Sequence, residues 1–331
     1  MSNSTVHVFP APIGGVPFPH DFAPALIFTI LYAIISPIGI WRMVDKRSRT
    51  LAILGNVIIC IERVADFAIR AAEAEKPSIR TTQFFVSWLQ SAYAMGYLST
   101  TTEVTNLARL FLSSTTEGTC PPPIKPLPFD RQFSRTDSEE QPLTASGPIE
   151  DASSSYSALP AIEQEGFEDQ PRLRVVLKRI GWFILALRIL ALLAAVGSGA
   201  IYYNGLQSII MAFVIYQTRY ASAVLTLLIQ VICLGLLLWS LIMRSKRTPR
   251  GPAYFVCSMI IIIMIPTIYR LAVMNNWTIS LTSTLPGSLN GPAAKALFYT
   301  FHIAPEWVVS TMLVAVNIKE MYNLAGGWKS H

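Results

Sequence analysis

Charge is scarce in this chain. Of its 331 residues only 14% are Asp, Glu, Lys or Arg, against 52% hydrophobic, and mean hydropathy is +0.44. Soluble domains carry about 25% charged residues, so a water-soluble globular fold is excluded and a polytopic, all-α membrane protein is expected. Cysteine is scarce too. Cys60, Cys233 and Cys257 lie in apolar runs and Cys120 in a polar stretch, which gives neither metal-ligand spacing nor a pair of outer-loop cysteines for a disulfide. The net charge of +6 would suit nucleic acid, but the bases sit in short connections between apolar runs, where they orient helices. No nucleic-acid partner and no cofactor are expected. The first 22 residues have no Lys or Arg and are rich in Pro and Gly, so no cleavable signal peptide is expected and the first apolar helix serves as its own insertion signal.

What is present is a series of long apolar runs. Seven approach or exceed the roughly 20 residues that cross a bilayer: 23–42, 51–72, 81–112, 176–203, 217–243, 252–274 and 292–323. Bases cluster after the first run (Arg42, Lys46, Arg47, Arg49), before the fourth (Arg172, Arg174, Lys178, Arg179) and after the fifth (Arg244, Lys246, Arg247, Arg250). Those connections are cytoplasmic by the positive-inside rule. The expected organisation is an extracellular tail over 1–22, helices one to three over 23–113, a cytoplasmic loop over 114–172, helices four to seven over 173–323 and a cytoplasmic tail over 324–331. Seven transmembrane helices with the amino terminus outside and the carboxyl terminus inside satisfy every short loop. Two glycosylation sequons, at Asn3 and Asn276, fall on the expected outer side. The 114–172 loop holds eleven acids against four bases and almost no apolar periodicity, so it is expected to be disordered. Its serines, among them Ser134, Ser138, Ser153, Ser154 and Ser155, are phosphorylation candidates, although a plain solvated linker has the same composition.

The second run is the unusual one, because it carries Glu62, Arg63, Asp66 and Arg70 at membrane depth. At helical spacing these four share an arc of roughly 100°. Each charge near a bilayer centre costs on the order of 3 kcal/mol, so this face must look into the bundle or a watery cavity. It either fixes helix packing through internal pairing or forms a ligand or ion site. Arg188, in the run LALRILALLAA, has no acid on its own helix. A rise of about 1.5 Å per residue puts it at roughly the depth of Glu62, which makes Glu62 or Asp66 its expected partner. In the last run Tyr299, His302, Glu306, Ser310 and Asn317 share a face that Pro305 interrupts, opening backbone groups toward the interior. His302 is either a neutral packing residue or a pH-responsive one. The sixth run adds Pro266, Tyr269 and Arg270 toward the outer side, and the third adds Gln90, Ser91 and Tyr93 near its middle. Thr102, Asn106 and Arg109 share a face at the cytoplasmic end of the third run, where they either meet a signalling partner or lie at the headgroups.

Several functions are excluded by missing residues. A retinal protein needs a Schiff-base lysine in the middle of its last helix, and Lys295 and Lys319 lie near the ends. Zinc-dependent membrane hydrolases need several histidines at depth, and only His302 is available, so neither a metal site nor an enzyme is expected. The motifs that end the third and seventh helices of rhodopsin-like receptors are replaced by Leu107-Ala108-Arg109-Leu110 and Asn317-Ile318-Lys319-Glu320-Met321-Tyr322.

The acid-to-Arg stretch Glu62 to Arg70, the triplet Ile268-Tyr269-Arg270 and the stretch Phe298 to Trp307 resemble fungal seven-helix proteins of the RTA-like, lipid-translocating or drug-resistance type. A neighbouring fungal seven-helix group fits the same residues. The resemblance covers the helices and not the long loop. An acid usual shortly after the sixth-helix Arg is missing, with Val273 in that region. It implies a fungal surface or endomembrane protein that handles amphipathic molecules. The resulting expectation is a multi-pass protein, in the plasma membrane rather than an endomembrane, that senses or binds a small amphipathic molecule in a receptor-like manner. A lipid or drug translocator is the alternative. The bilayer, the amphipathic ligand and a cytoplasmic signalling partner are the expected associations.

Overall fold

A computed structural model describes residues 7–45, 47–50, 53–118 and 168–322. Among them the chain is all-α apart from one two-residue bridge. The long helices are α1 (Phe22–Val44), α2 (Leu54–Glu75), α3 (Gln83–Ser114), α4 (Pro171–Ala200), α5 (Ile209–Met243) and α6 (Arg250–Val273). A last rod is assembled from α7 (Pro292–Phe298), a π-helical turn (Tyr299–Ile303) and α8 (Ala304–Ala315), followed by the short α9 (Ile318–Met321). Among the described residues four helices are long and apolar enough to cross a membrane: Pro19–Val44, which includes α1, together with α4, α5 and α6. They are the helices of a membrane protein.

The distribution of side chains is the reverse of a water-soluble fold. Ile34, Ile58, Trp182, Leu193, Ile210 and Ile261 point outward at 54–71% exposure, where polar residues would stand in water. The charged face of α2 points inward, with Arg63, Asp66 and Arg70 fully buried. α3 is the hub, packed against α2, α4, α5, α6 and α8. Its buried face is built of Ala92, Ala94, Gly96 and threonines. The hydroxyls of Thr100, Thr101 and Thr105 each donate to the carbonyl four residues back, which satisfies these donors within the core, and Thr101 Oγ1 also accepts from Gln230 Nε2 at 3.0 Å.

Helix limits differ from the sequence expectation chiefly at α5, which begins at Ile209 instead of 217. The run IIMAFVIY continues the same apolar pattern beyond the minimum span, so its length alone gave no stop signal, and α5 reaches about 52 Å. The proline in the last rod does what its missing N–H requires. The backbone N–H of Ala304 donates to the Tyr299 carbonyl, a five-residue step that widens the turn ahead of Pro305.

Residues 7–21, part of the expected free tail, are folded into one end of the bundle. Phe9 and Pro10 (β1) pair antiparallel with Thr278 and Trp277 (β2). The Ala11 N–H donates to the Asn276 carbonyl at 2.9 Å and the Val16 N–H to Asn290 Oδ1 at 2.8 Å. Ala11 through Pro17 are all buried. Pro and Gly supply no periodicity, so the sequence reads as a tail; the long-range hydrogen bonds that fold it are with residues from Arg70 onward. The turn uses Gly14 and Gly15 at φ +74° and +61°, and a side chain at Gly14 would meet the Phe298 ring at 2.7 Å. At the opposite end lie the connections rich in bases, where Arg244 donates to Thr115 and Gln170 and Arg42 donates to the Ala315 carbonyl. Of the 114–172 loop, residues 119–167 lie outside the described residues, as do its serine candidates and Asn3.

Candidate functional site: a buried polar network

The centre of the network joins α2 to α8. Arg63 holds Glu306 by a fork, Nε to Oε1 at 2.6 Å and Nη2 to Oε2 at 3.0 Å, and turns its remaining nitrogen to Asp66 Oδ2 at 3.0 Å. Trp88 Nε1 donates to the other Asp66 oxygen at 2.9 Å. Every carboxylate oxygen here is occupied. The packing that permits this depends on Gly96 of α3, where a Cβ would stand 1.6 Å from Arg63 Nη2 and 2.5 Å from Glu306 Oε1.

Two helical turns beyond Arg63, Arg70 organises a second cluster. It donates to the hydroxyls of Tyr299 (2.9 Å) and Tyr93 (3.1 Å), to the Gly14 carbonyl (2.6 Å) and to Asp21 Oδ1 (3.0 Å). Lys295 reaches the same turn, donating to the carbonyls of Gly14 and Val16 and pairing with Asp21 Oδ2 at 2.8 Å. The amino-terminal segment is thus pinned from α2 and α7 at once. Arg219 of α5 extends the pinning to Gln90 and the Ala11 carbonyl, and Gln90 exchanges two hydrogen bonds with the backbone of Ile13.

The third part is a corner formed by α3, α6 and the π turn. Arg270 donates to the Tyr93 carbonyl at 3.2 Å, meets His302 Nε2 at 3.3 Å and stacks over the Tyr97 ring at 4.7 Å. Its Nε has no partner. Neither has His302 Nδ1 nor the Tyr97 hydroxyl. The His302 ring packs edge-on against Tyr97 and Tyr269, at 5.8 and 6.1 Å between centroids.

The expected residues therefore divide. Arg63, Asp66 and Glu306 join through hydrogen bonds at the centre, Arg70 and Tyr299 join in the second cluster, and Tyr269, Arg270 and His302 form the adjoining corner. Glu62 does not join: it is half-buried and makes no hydrogen bond among the described residues. The expected Arg188 pairing with Glu62 or Asp66 is corrected. Arg188 is half-buried and donates to Asn106 Oδ1 at 2.7 Å, and the acid that attracts it is Glu103 of α3. A shared depth fixes height along the bundle and says nothing of which helix stands beside α4; α3 does. Asn106, expected at the cytoplasmic edge for a partner or headgroups, faces α4. His302 and Glu306 each face a different arginine. Asn276 is half-exposed, its amide donating to the Val273 carbonyl at 3.0 Å, and the Thr278 of its sequon is buried against the amino-terminal segment.

Asp21, Trp88, Arg219 and Lys295 were not read as parts of this network. Arg219 had a usable signal, a lone base inside the apolar run IYQTRYASAVL. Asp21 looks like an ordinary acid at a helix start, where the helix dipole alone accounts for it. Nothing in the local sequence joins it to Lys295. No family model matches the chain, and no curated protein or solved structure is significantly similar to it.

Proposed function

We propose that the chain is a seven-helix membrane protein that binds a small amphipathic molecule in its polar interior and acts as a receptor-like sensor, with residues 7–21 outside. Two features support the topology. The connections rich in bases lie at one end and the base-poor ones at the other, as the positive-inside rule requires. α2, α3 and the rod from α7 to α8 lack the apolar composition of a lone span, and Arg63, Asp66, Trp88 and Glu306 on them pair with one another within the bundle. The observation that carries the binding reading is a group of buried polar atoms left without partners in that interior, among them Arg270 Nε, His302 Nδ1, Tyr97 Oη and Ser310 Oγ. Unmatched buried donors are rare in finished cores and are offered to something else. The amphipathic character of the ligand rests on the RTA-like resemblance. Translocation is the second reading, and the pinned amino-terminal segment counts against it, because alternating access requires that end to open.

The test is reconstitution of the full chain in vesicles with fluorescent lipids and sterols. Saturable binding without transfer between leaflets is expected. Transfer that needs Glu306 and no other protein would make the chain a translocator, and absence of saturable binding to any amphiphile would remove both readings.

A further inference from the structure

The unmatched groups in the corner of α3, α6 and the π turn have one chemical character. Arg270 Nε–H is a donor. His302 accepts from Arg270 at Nε2, so its proton stands on Nδ1, a second donor, and the Tyr97 hydroxyl is free to be a third. Of the four buried acids, Asp66, Glu306 and Asp21 already accept hydrogen bonds at both oxygens from Arg63, Trp88, Arg70, Lys295 and the Phe18 N–H. The fourth, Glu73, has no hydrogen-bond partner among the described residues, and its charged neighbours are Arg70, Arg80 and Lys295, not Arg270. Among the described residues Arg270 is 2% exposed and has no carboxylate at salt-bridge distance, and the buried bases outnumber the buried acids six to four. A guanidinium held in a low-dielectric interior without a counter-charge is unfavourable, and donors without acceptors add to that cost.

From this we infer that Arg270, His302 and Tyr97 form a receptor for one anionic group. Resting on the amphiphile-binding reading, the group is the carboxylate of an acidic amphiphile; a free halide offers the same chemistry. Arg270 supplies the charge and a planar donor edge, Tyr97 a hydroxyl, and His302 a neutral N–H held in place by its contact with Arg270. The Arg63 to Glu306 fork next to it is saturated and keeps Glu306 from neutralising Arg270.

The experiment uses the purified full chain in nanodiscs with oleate, methyl oleate, and chloride exchanged for gluconate. Oleate should bind at least about tenfold more tightly than methyl oleate, and Arg270→Gln should erase that preference, with Tyr97→Phe reducing it. If the source is inorganic, chloride should raise the unfolding temperature over gluconate, an effect lost in Arg270→Gln, while neither oleate nor its ester binds; the anion site then stands and the amphiphile reading falls. Equal binding of oleate and methyl oleate, with no response to chloride, overturns the inference and leaves amphiphile binding intact. Should Arg270→Gln not fold, the two comparisons on the unsubstituted protein decide the matter, and Tyr97→Phe supplies the residue test.

Discussion

Arg63 and Arg270 are both buried in the same polar interior, and they are treated in opposite ways. Arg63 spends all three nitrogens on two carboxylates, whereas Arg270 meets a carbonyl, an imidazole nitrogen and an aromatic face and leaves its Nε unmatched. The contrast teaches that charge buried in a helix bundle is not by itself a functional mark. Pairing sorts such residues into those that hold helices together and those that offer an unmet interaction.

The contrast can be broken first from its saturated side. Glu306→Leu strips Arg63 of its fork and should cost about 3–5 kcal/mol, read as a large fall in thermal unfolding temperature in detergent. Asp21→Asn removes the counter-charge shared by Arg70 and Lys295. It should cost about 2–3 kcal/mol and raise proteolysis within residues 7–21 while the helices stay protected. Gly96→Ala places a methyl group in the space of the Arg63 guanidinium and should cost about 2 kcal/mol through displacement of the fork. The smallest effect belongs to Arg188→Met. It loses a half-buried bond to Asn106, so a change of about 1 kcal/mol or less is expected; a loss as large as that of Glu306→Leu would return Arg188 to the central network.

How much of this was legible depended on the kind of information each residue carries. Helical spacing identified the inward face of α2 and the face of Tyr299, His302, Glu306 and Ser310, because periodicity encodes direction around a helix. It did not separate Glu62 from its neighbours, since Glu62 lies at the edge of the arc, about 100° from Arg63, and falls just outside the buried face. Pro305 announced an interruption, and the wide turn at Tyr299–Ile303 is its form. Partners were less legible than faces. That Arg63 takes Glu306, and Arg188 takes Asn106, depends on which helices are neighbours, which depth and azimuth leave open. The folded segment 7–21 was least legible of all, because its structure comes from Arg70, Arg219 and Lys295 donating to its backbone and to Asp21 and from Asn290 accepting from the Val16 N–H, with no pattern of its own.

The account stands on the fork that joins α2 to α8, and a double-mutant cycle on Arg63 and Glu306 measures it directly. With Arg63→Leu and Glu306→Leu alone and together, the double variant should be less destabilised than the sum of the single variants by about 2 kcal/mol or more, while the same cycle on Arg270 and Glu306 gives a markedly smaller coupling. Additivity for Arg63 and Glu306 within about 0.5 kcal/mol would contradict the arrangement, and with it the division between a saturated network and an unmatched corner.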